Sequence, residues 1–354
     1  MPKIKKIRTT GTVSEEIGGD VKNPIVNELE RNEPVFNYGV VSTGSTLLDL
    51  AISGGVVRGG GLPGGILVEI FGPSSSGKTA ILSEIAASVQ FKGGDVKFKD
   101  PEGRFNREYA KIYGVELDEK DYSRPDTVRE MFGDIWKWEP ANKEKINMVA
   151  GDSLAALSTE MEMEDQDKMG MKRAKDFSES LRKTCRMIAN KNWLIVCSNQ
   201  ERDGQMDPVT PGGKAIPYYS SVRIRIAQSF KGSKIKKKLK LESGVEVERI
   251  IGIKSICDIK KNSIDNPFRL VPVYIIFRKG IDDVRGNLQW YKDMTKSSNY
   301  MIEGIFDKGY KSIQEAVSYV EGNDLEMDLR STVINLWEDI EKNFKTEIKK
   351  KVRF

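Results

Sequence analysis

Residues 72–79, namely Gly72, Pro73, Ser74, Ser75, Ser76, Gly77, Lys78 and Thr79, fit the pattern G-x-x-x-x-G-K-[ST]. Glycines at these places let successive backbone N–H groups curl around phosphates at the positive end of a helix. In that chemistry Lys78 reaches the β- and γ-phosphates, and the Thr79 hydroxyl ligates Mg²⁺. The run follows the apolar segment ILVEIF and precedes AILSEIAASVQF, which is the strand, loop and helix order the motif requires. An ordinary glycine-rich turn is the competing reading. The expected ligand is a nucleoside triphosphate with Mg²⁺.

Two carboxylates extend this chemistry. Asp152 ends the apolar run INMVAGD, so a carboxylate stands at the tip of a buried strand, where it can hold Mg²⁺ through water. Taken alone it would read as a helix N-cap. Glu102 follows a short strand in Lys99-Asp100-Pro101-Glu102-Gly103, in position to orient and deprotonate an attacking water. Taken alone it is a loop glutamate. The sequence has no histidine, which excludes Ser-His-Asp and Cys-His nucleophiles and histidine metal ligands. Carboxylates, lysine, backbone amides and bound ions must carry the reaction.

The elements that position these groups follow from the apolar pattern. Short apolar runs at 66–71, 96–99, 146–150 and 194–197 alternate with helical stretches at 79–91, 127–136 and 172–190. Such alternation implies βαβ units and a mostly parallel sheet covered on both faces. Beyond Arg223 extended runs at 222–227, 245–259 and 271–277 imply appended antiparallel strands, interrupted by a lysine-rich segment. The expected fold class is α/β, a P-loop ATPase core with a small C-terminal helical or α/β domain. The expected division is an arm at 1–38 with a short helix at 25–29, a core at 39–285 and a C-terminal domain at 286–354.

At 354 residues, 38% hydrophobic and 31% charged, the chain is that of a folded protein with a substantial core. No run approaches the roughly 18 apolar residues of a membrane span, and the basic start lacks the apolar region of a secretion signal. A cytoplasmic protein with no membrane partner is expected. Cys185, Cys197 and Cys257 have no C-x-x-C spacing and read as reduced core residues, neither a disulfide framework nor a zinc site. The net charge of +5 is too modest to indicate nucleic acid by itself. Six lysines between Lys231 and Lys240, and Lys349, Lys350, Lys351 and Arg353 at the end, fit either phosphate-backbone contacts or a solvated hairpin tip and a basic helix end.

The runs STGSTLLDLAISGG (42–55), ILVEIFGPSSSGKT (66–79), DPEGRF (100–105), YAKIYGVELD (109–118), RPDT (124–127), VAGDSLAAL (149–157), SNQ (198–200) and GGKAIPYYSSVRIRI (212–226) resemble the RecA-type homologous recombinases in order and spacing. The likeness spans roughly 40–285. It implies a RecA-like fold in which Glu102 activates water, Asp152 is the Walker-B acid, and Tyr109 stacks on the adenine of ATP. Gln200 would sense the γ-phosphate and pass its state to a DNA-binding loop, an amide being able both to donate and to accept.

The resemblance also implies two loops facing DNA. The first, 160–172, has Met169 and Gly170, followed by Lys172 and Arg173; the second, 201–214, has Arg202, Gly212, Gly213 and Lys214. Met206 or Val209 would wedge between bases. Both loops are acidic, with Glu160, Glu162, Glu164, Asp165 and Asp167 in the first and Glu201, Asp203 and Asp207 in the second, which weakens phosphate binding. Of two lysines that reach a neighbour's ATP across the subunit interface in this family, Lys261 is kept, Ser263 stands at the second place, and Lys260 is the available substitute. The basic C-terminus departs from the acidic end of many relatives.

The expected protein is an ATP-dependent, DNA-dependent ATPase that forms a homo-oligomeric helical filament on single-stranded DNA and pairs it with homologous duplex DNA. The alternatives are a hexameric helicase-like motor, against which stands the lack of a separate helical domain in the first 38 residues, and a weakly hydrolysing ATP-gated filament or scaffold.

Overall fold

The computed structural model describes residues 39–159, 171–202, 210–228 and 232–344. The arm at 1–38 with its 25–29 helix, Met169 and Gly170, residues 203–209 with Met206 and Val209, Lys231 and the basic end at 345–354 lie outside the described residues, as do the side chains of Arg107, Tyr109 and Met171.

In chain order the elements are β1 (Val40–Val41), α1 (Thr46–Ser53), β2 (Leu62–Pro63), β3 (Leu67–Gly72), α2 (Lys78–Phe91), β4 (Val96–Lys99), α3 (Arg107–Lys111), β5 (Tyr122–Ser123), α4 (Val128–Lys137), β6 (Asn147–Gly151), α5 (Met171–Lys191), β7 (Trp193–Gln200) and α6 (Ala215–Tyr219). There follow β8 (Val222–Gln228), β9 (Lys234–Lys240), β10 (Glu246–Asn262), β11 (Leu270–Ile276), β12 (Gly280–Ile281), α7 (Asp283–Thr295), α8 (Ile313–Gly322) and α9 (Glu326–Phe344). The main sheet runs β12-β11-β10-β8-β3-β7-β6-β4-β5, with β9 attached to β10. Strands β3 to β8 pair in parallel, and β9 to β12 are joined antiparallel.

Strands buried on both faces must be apolar on both, and alternate residues divide between two cores. Val68, Ile70, Phe98, Met148, Ala150, Leu194 and Val196 pack with α1 and α2. Leu67, Val149, Ile195 and Cys197 pack under α4 and α5, against Phe132, Phe177 and Leu181. The Thr127 hydroxyl caps α4 by accepting from the Glu130 N–H at 3.2 Å, while Glu130 accepts from the Asp126 N–H at 2.9 Å, a reciprocal N-terminal arrangement that explains where this helix starts. Cys197 and Cys257 are buried and free; burial pushes both thiols well above the usual cysteine range.

Two features depart from the sequence pattern. The lysine-rich segment is no loop: Lys234–Lys240 forms β9, paired antiparallel with Glu246–Ile253, and the turn lies at 241–245. Lysine on a strand that forms a sheet edge is a recognised way to keep the edge from pairing with another chain. At the other end, α7 runs through residue 285 without a break. Leu288, Val317, Val320, Leu329, Val333 and Trp337 share one apolar cluster with β3 and α1, and Arg269 Nη2 joins Glu341 at 2.8 Å. Among the described residues no helix is long and apolar enough to cross a membrane.

Inside the sheet, on the interior strand β3, Glu69 is fully buried; it accepts from Asn199 Nδ2 at 2.9 Å and from Arg223 Nε at 2.6 Å. A buried charge that loses its partner is expensive. Arg223→Ala is therefore expected to lower the free energy of unfolding by about 3–5 kcal/mol in denaturant titration; a loss below 1 kcal/mol would remove this network from the account.

Candidate active site

Strand β3 ends at Gly72, where an added Cβ would sit 1.9 Å from the carbonyl oxygen of Ile226. Only glycine fits that approach. Gly77, at φ +105°, is the N-cap of α2 and makes no side-chain cap bond, so the first N–H groups of the helix are left for a ligand. Between these glycines the Ser76 hydroxyl is buried with no hydrogen-bond partner among the described residues. Lys78 folds back over the loop, its Nζ donating to the carbonyls of Gly72 at 3.0 Å and Pro73 at 2.7 Å. Burial lowers its pKa, opposed by the carboxylates of Asp152, Glu102 and Glu201.

Asp152 lies one residue past β6. Thr79 Oγ1 donates to its Oδ2 at 2.6 Å, and the Ser198 hydroxyl donates to Oδ1. Burial raises the Asp152 pKa and the nearby Glu102 and Asp100 add to the rise, while the two hydroxyls oppose it. The donor set suits a hard divalent cation, since a hydroxyl and a carboxylate meet beside the phosphate loop. No cluster of three His, Cys, Asp or Glu ligands occurs among the described residues; Mg²⁺ held here would complete its shell with phosphate oxygens and water.

Glu102 stands across the cleft. Its Oε1 accepts from the Ser153 hydroxyl and, at 3.2 Å, from Gln200 Nε2, and Arg104 approaches Oε2 at 3.4 Å. Asp100 shapes the loop that carries it: almost wholly buried, it accepts from the N–H groups of Arg104 and Phe105 and from the Tyr122 hydroxyl at 2.7 Å. Ser74, Ser75, Lys78, Thr79, Asp100, Glu102, Asp152, Ser153 and Gln200 line one cavity of about 250 Å³. Behind the loop a second cavity of about 400 Å³ is walled by Ser75–Ala80, Gln228, Ile253, Ile275 and Phe277. It offers one exposed aromatic and an aliphatic wall, a suitable surface for a nucleobase.

The structure thus gathers residues 72–79, Glu102, Asp152 and Gln200 into one place. Lys261 is elsewhere: its Nζ donates to the carbonyls of Pro217 at 3.0 Å and Tyr218 at 2.9 Å. Lys260, the expected substitute, is held by Asp258 at 2.6 Å. Of the residues expected to face DNA, Arg173 donates to the carbonyls of Leu154 and Ala155. Arg202 and Lys214 are exposed, and Gly212 and Gly213 adopt φ +99° and +68°. Glu201 is engaged by Arg225 at 2.8 and 2.9 Å, so its charge is answered within the chain.

Asp100, Ser153, Ser198, Gln228 and Phe277 were not singled out from the sequence. Asp100 and Ser153 each neighbour a named acid within two residues, and Ser198 sits in the SNQ run, so proximity along the chain was the available signal. For Gln228 and Phe277 there was none.

Residues 14–282 match the family model of the RecA N-terminal domain. The chain is 34% identical over 263 residues to Protein RecA of Cereibacter sphaeroides, covering 72% of this chain and 71% of that protein. It is 35% identical over 266 residues to Protein RecA of Paracoccus denitrificans, covering 73% and 69%, and 34% identical over 258 residues to that of Thermus aquaticus, covering 71% of each. A crystal structure of the RadB recombinase matches with a TM-score of 0.48 at 18% identity, over 68% of this chain and 98% of that one.

The Ser198 hydroxyl favours the ionised form of Asp152, the form that binds a cation. Ser198→Ala is expected to raise the Asp152 pKa further, moving the acid-side loss of Mg²⁺-dependent nucleotide binding to higher pH. An unshifted acid limb in binding titrations would contradict this.

Proposed function

The chain belongs to the RecA family of ATP-dependent recombinases, and we propose that it hydrolyses ATP to ADP and phosphate in response to single-stranded DNA. It does so as a homo-oligomeric helical filament on that strand, pairing it with homologous duplex DNA and exchanging strands, in the cytoplasm. The observation that carries this reading is the meeting of Glu102 and Gln200 across from Lys78, Thr79 and Asp152.

The backbone of residues 74–79 and Lys78 hold the phosphates, Phe277 offers its ring to the adenine, and Tyr109 is the residue that the family likeness assigns to stack on that base. Thr79 and Asp152 hold Mg²⁺, which supplies neutralisation of phosphate charge when bound. Glu102 takes the proton of the attacking water; Ser153 and Gln200, donating to its Oε1, fix the carboxylate's orientation. Gln200 has two amide hydrogens and one carbonyl, so it can exchange its bond to Glu102 for one to a phosphate oxygen. Glu201 follows it and is tied to Arg225, and the loop at 203–209 follows Glu201 and Arg202. Nucleotide state thereby biases a two-state DNA-binding loop.

Met169, Gly170 and Lys172 on the first loop and Arg202, Gly212, Gly213 and Lys214 on the second contact the DNA backbone, with Arg173 bracing the first loop against 154–155. Lys261 serves the nucleotide of a neighbouring copy, for which it must leave the carbonyls of Pro217 and Tyr218.

ATP turnover measured with and without single-stranded DNA is expected to rise on DNA addition and to vanish in Lys78→Ala. Glu102→Gln should keep nucleotide binding and lose turnover by about 10²–10⁴-fold. DNA-independent turnover would point to a motor of another kind, and binding without turnover to a scaffold.

A further inference from the structure

The phosphate loop has its back to the antiparallel part of the sheet. An added Cβ on Gly72 would meet the Ile226 carbonyl of β8, and one on Gly77 would sit 2.2 Å from Ile275 Cδ1 of β11, so neither glycine leaves room for a side chain. Between them two consecutive carbonyls are taken up by side chains of that same sheet. Gln228 Nε2 donates to the Ser75 carbonyl at 2.8 Å, and the fully buried Ser255 hydroxyl donates to the Ser76 carbonyl at 2.7 Å. Gln228 ends β8, Ser255 lies within β10, and the two stand directly opposite each other in the antiparallel pair. Residues so placed share a face, and this cross-strand pair presents its two donors side by side.

What these bonds do follows from the peptide plane. In a trans peptide the carbonyl and the next residue's N–H point to opposite sides. Fixing the Ser75 carbonyl on β8 therefore turns the Ser76 N–H away from the sheet, and fixing the Ser76 carbonyl on β10 does the same for the Gly77 N–H. Among the described residues neither N–H has an acceptor, and both lie in the stretch whose amides curl around phosphate. Ser75 holds φ +58°, a left-handed conformation that a residue other than glycine adopts at a cost, and the Gln228 bond secures the peptide that follows it. Donors aimed before the ligand arrives spare binding the ordering of the loop.

We infer that Gln228 and Ser255 are positioning residues for nucleotide binding, which together hold the peptides after Ser75 and Ser76 so that the N–H groups of Ser76 and Gly77 face the phosphates. The assignment rests on the reading of residues 72–79 as an ATP site and adds to it the residues outside the motif that preset the loop. Gln228 also borders the cavity suited to the base, so direct contact with adenine is the rival role. A ligand without a base separates the two.

The test measures, by calorimetry, the binding of inorganic tripolyphosphate and of ATP, each with Mg²⁺, to the full chain, to Gln228→Met and to Ser255→Ala. Methionine keeps the length of the glutamine side chain and its neutrality but removes the donor. Each variant is expected to weaken both ligands equally, by about 5–10-fold, the worth of one hydrogen bond. The N–H groups touch phosphate before and during the reaction, so the KM for ATP should rise by the same factor while kcat stays within about twofold of the parent. Unchanged tripolyphosphate affinity in Gln228→Met would overturn the assignment, as would a loss confined to ATP, which would make Gln228 a base contact, or a fall in kcat at unchanged KM. A parent chain that binds neither ligand would sink the ATP-site reading and the assignment with it, whereas a parent that binds both while the variants match it would sink the assignment alone.

Discussion

Four parallel strands, β3, β4, β6 and β7, end along one edge of the sheet, and everything the site contains is set by that register. Gly72 pairs with Gln200, Lys99 with Gly151, and Gly151 with Cys197. Neighbouring strands lie roughly 4.8 Å apart, so the residues and loops at these strand ends are brought within reach of one another. Asp152 and Gln200 stand at or one residue beyond their strands, while Glu102, three residues past β4, is placed by the turn that Asp100 holds, and Lys78, six past β3, by the glycine loop. A slip of one residue in any pair would turn its polar end group to the wrong face, and the two apolar cores prevent it by accepting only one alternation.

The row just below the site adds a second constraint. Asn199 donates both to Glu69 and, at 3.2 Å, to the Pro211 carbonyl; Glu201 holds Arg225. The segment 203–209 therefore leaves and re-enters the described structure between two fixed points, one beside Gln200 and the other at Pro211. Burial raises the Asp152 pKa and lowers that of Lys78, so both groups would be more favourably charged once nucleotide and cation supply opposite charges.

Much of this was legible in the sequence, because parallel strands are apolar on both faces and show as short continuous runs. The expected 96–99 strand matches β4, and those at 66–71 and 146–150 are displaced by one residue from β3 and β6. Strand β7 is longer than the run at 194–197 because its last residues, Ser198, Asn199 and Gln200, are polar; the first two are buried and all three are held by long-range partners. Glu69 shows the same limit: a carboxylate inside an apolar run reads as a blemish until Asn199 and Arg223, 130 and 154 residues away, supply its hydrogen bonds. The lysine-rich β9 hid for another reason, since its strand character comes from pairing with β10 and is contrary to the low strand preference of lysine.

The central claim is that Gln200 carries the state of the nucleotide to the DNA-binding loop. The most direct measurement is the affinity for single-stranded DNA of the parent and of Gln200→Ala, each with and without a non-hydrolysable ATP analogue at saturation. The account predicts that the analogue raises affinity in the parent and fails to do so in Gln200→Ala, although the variant still binds the analogue. An equal rise in both would contradict it.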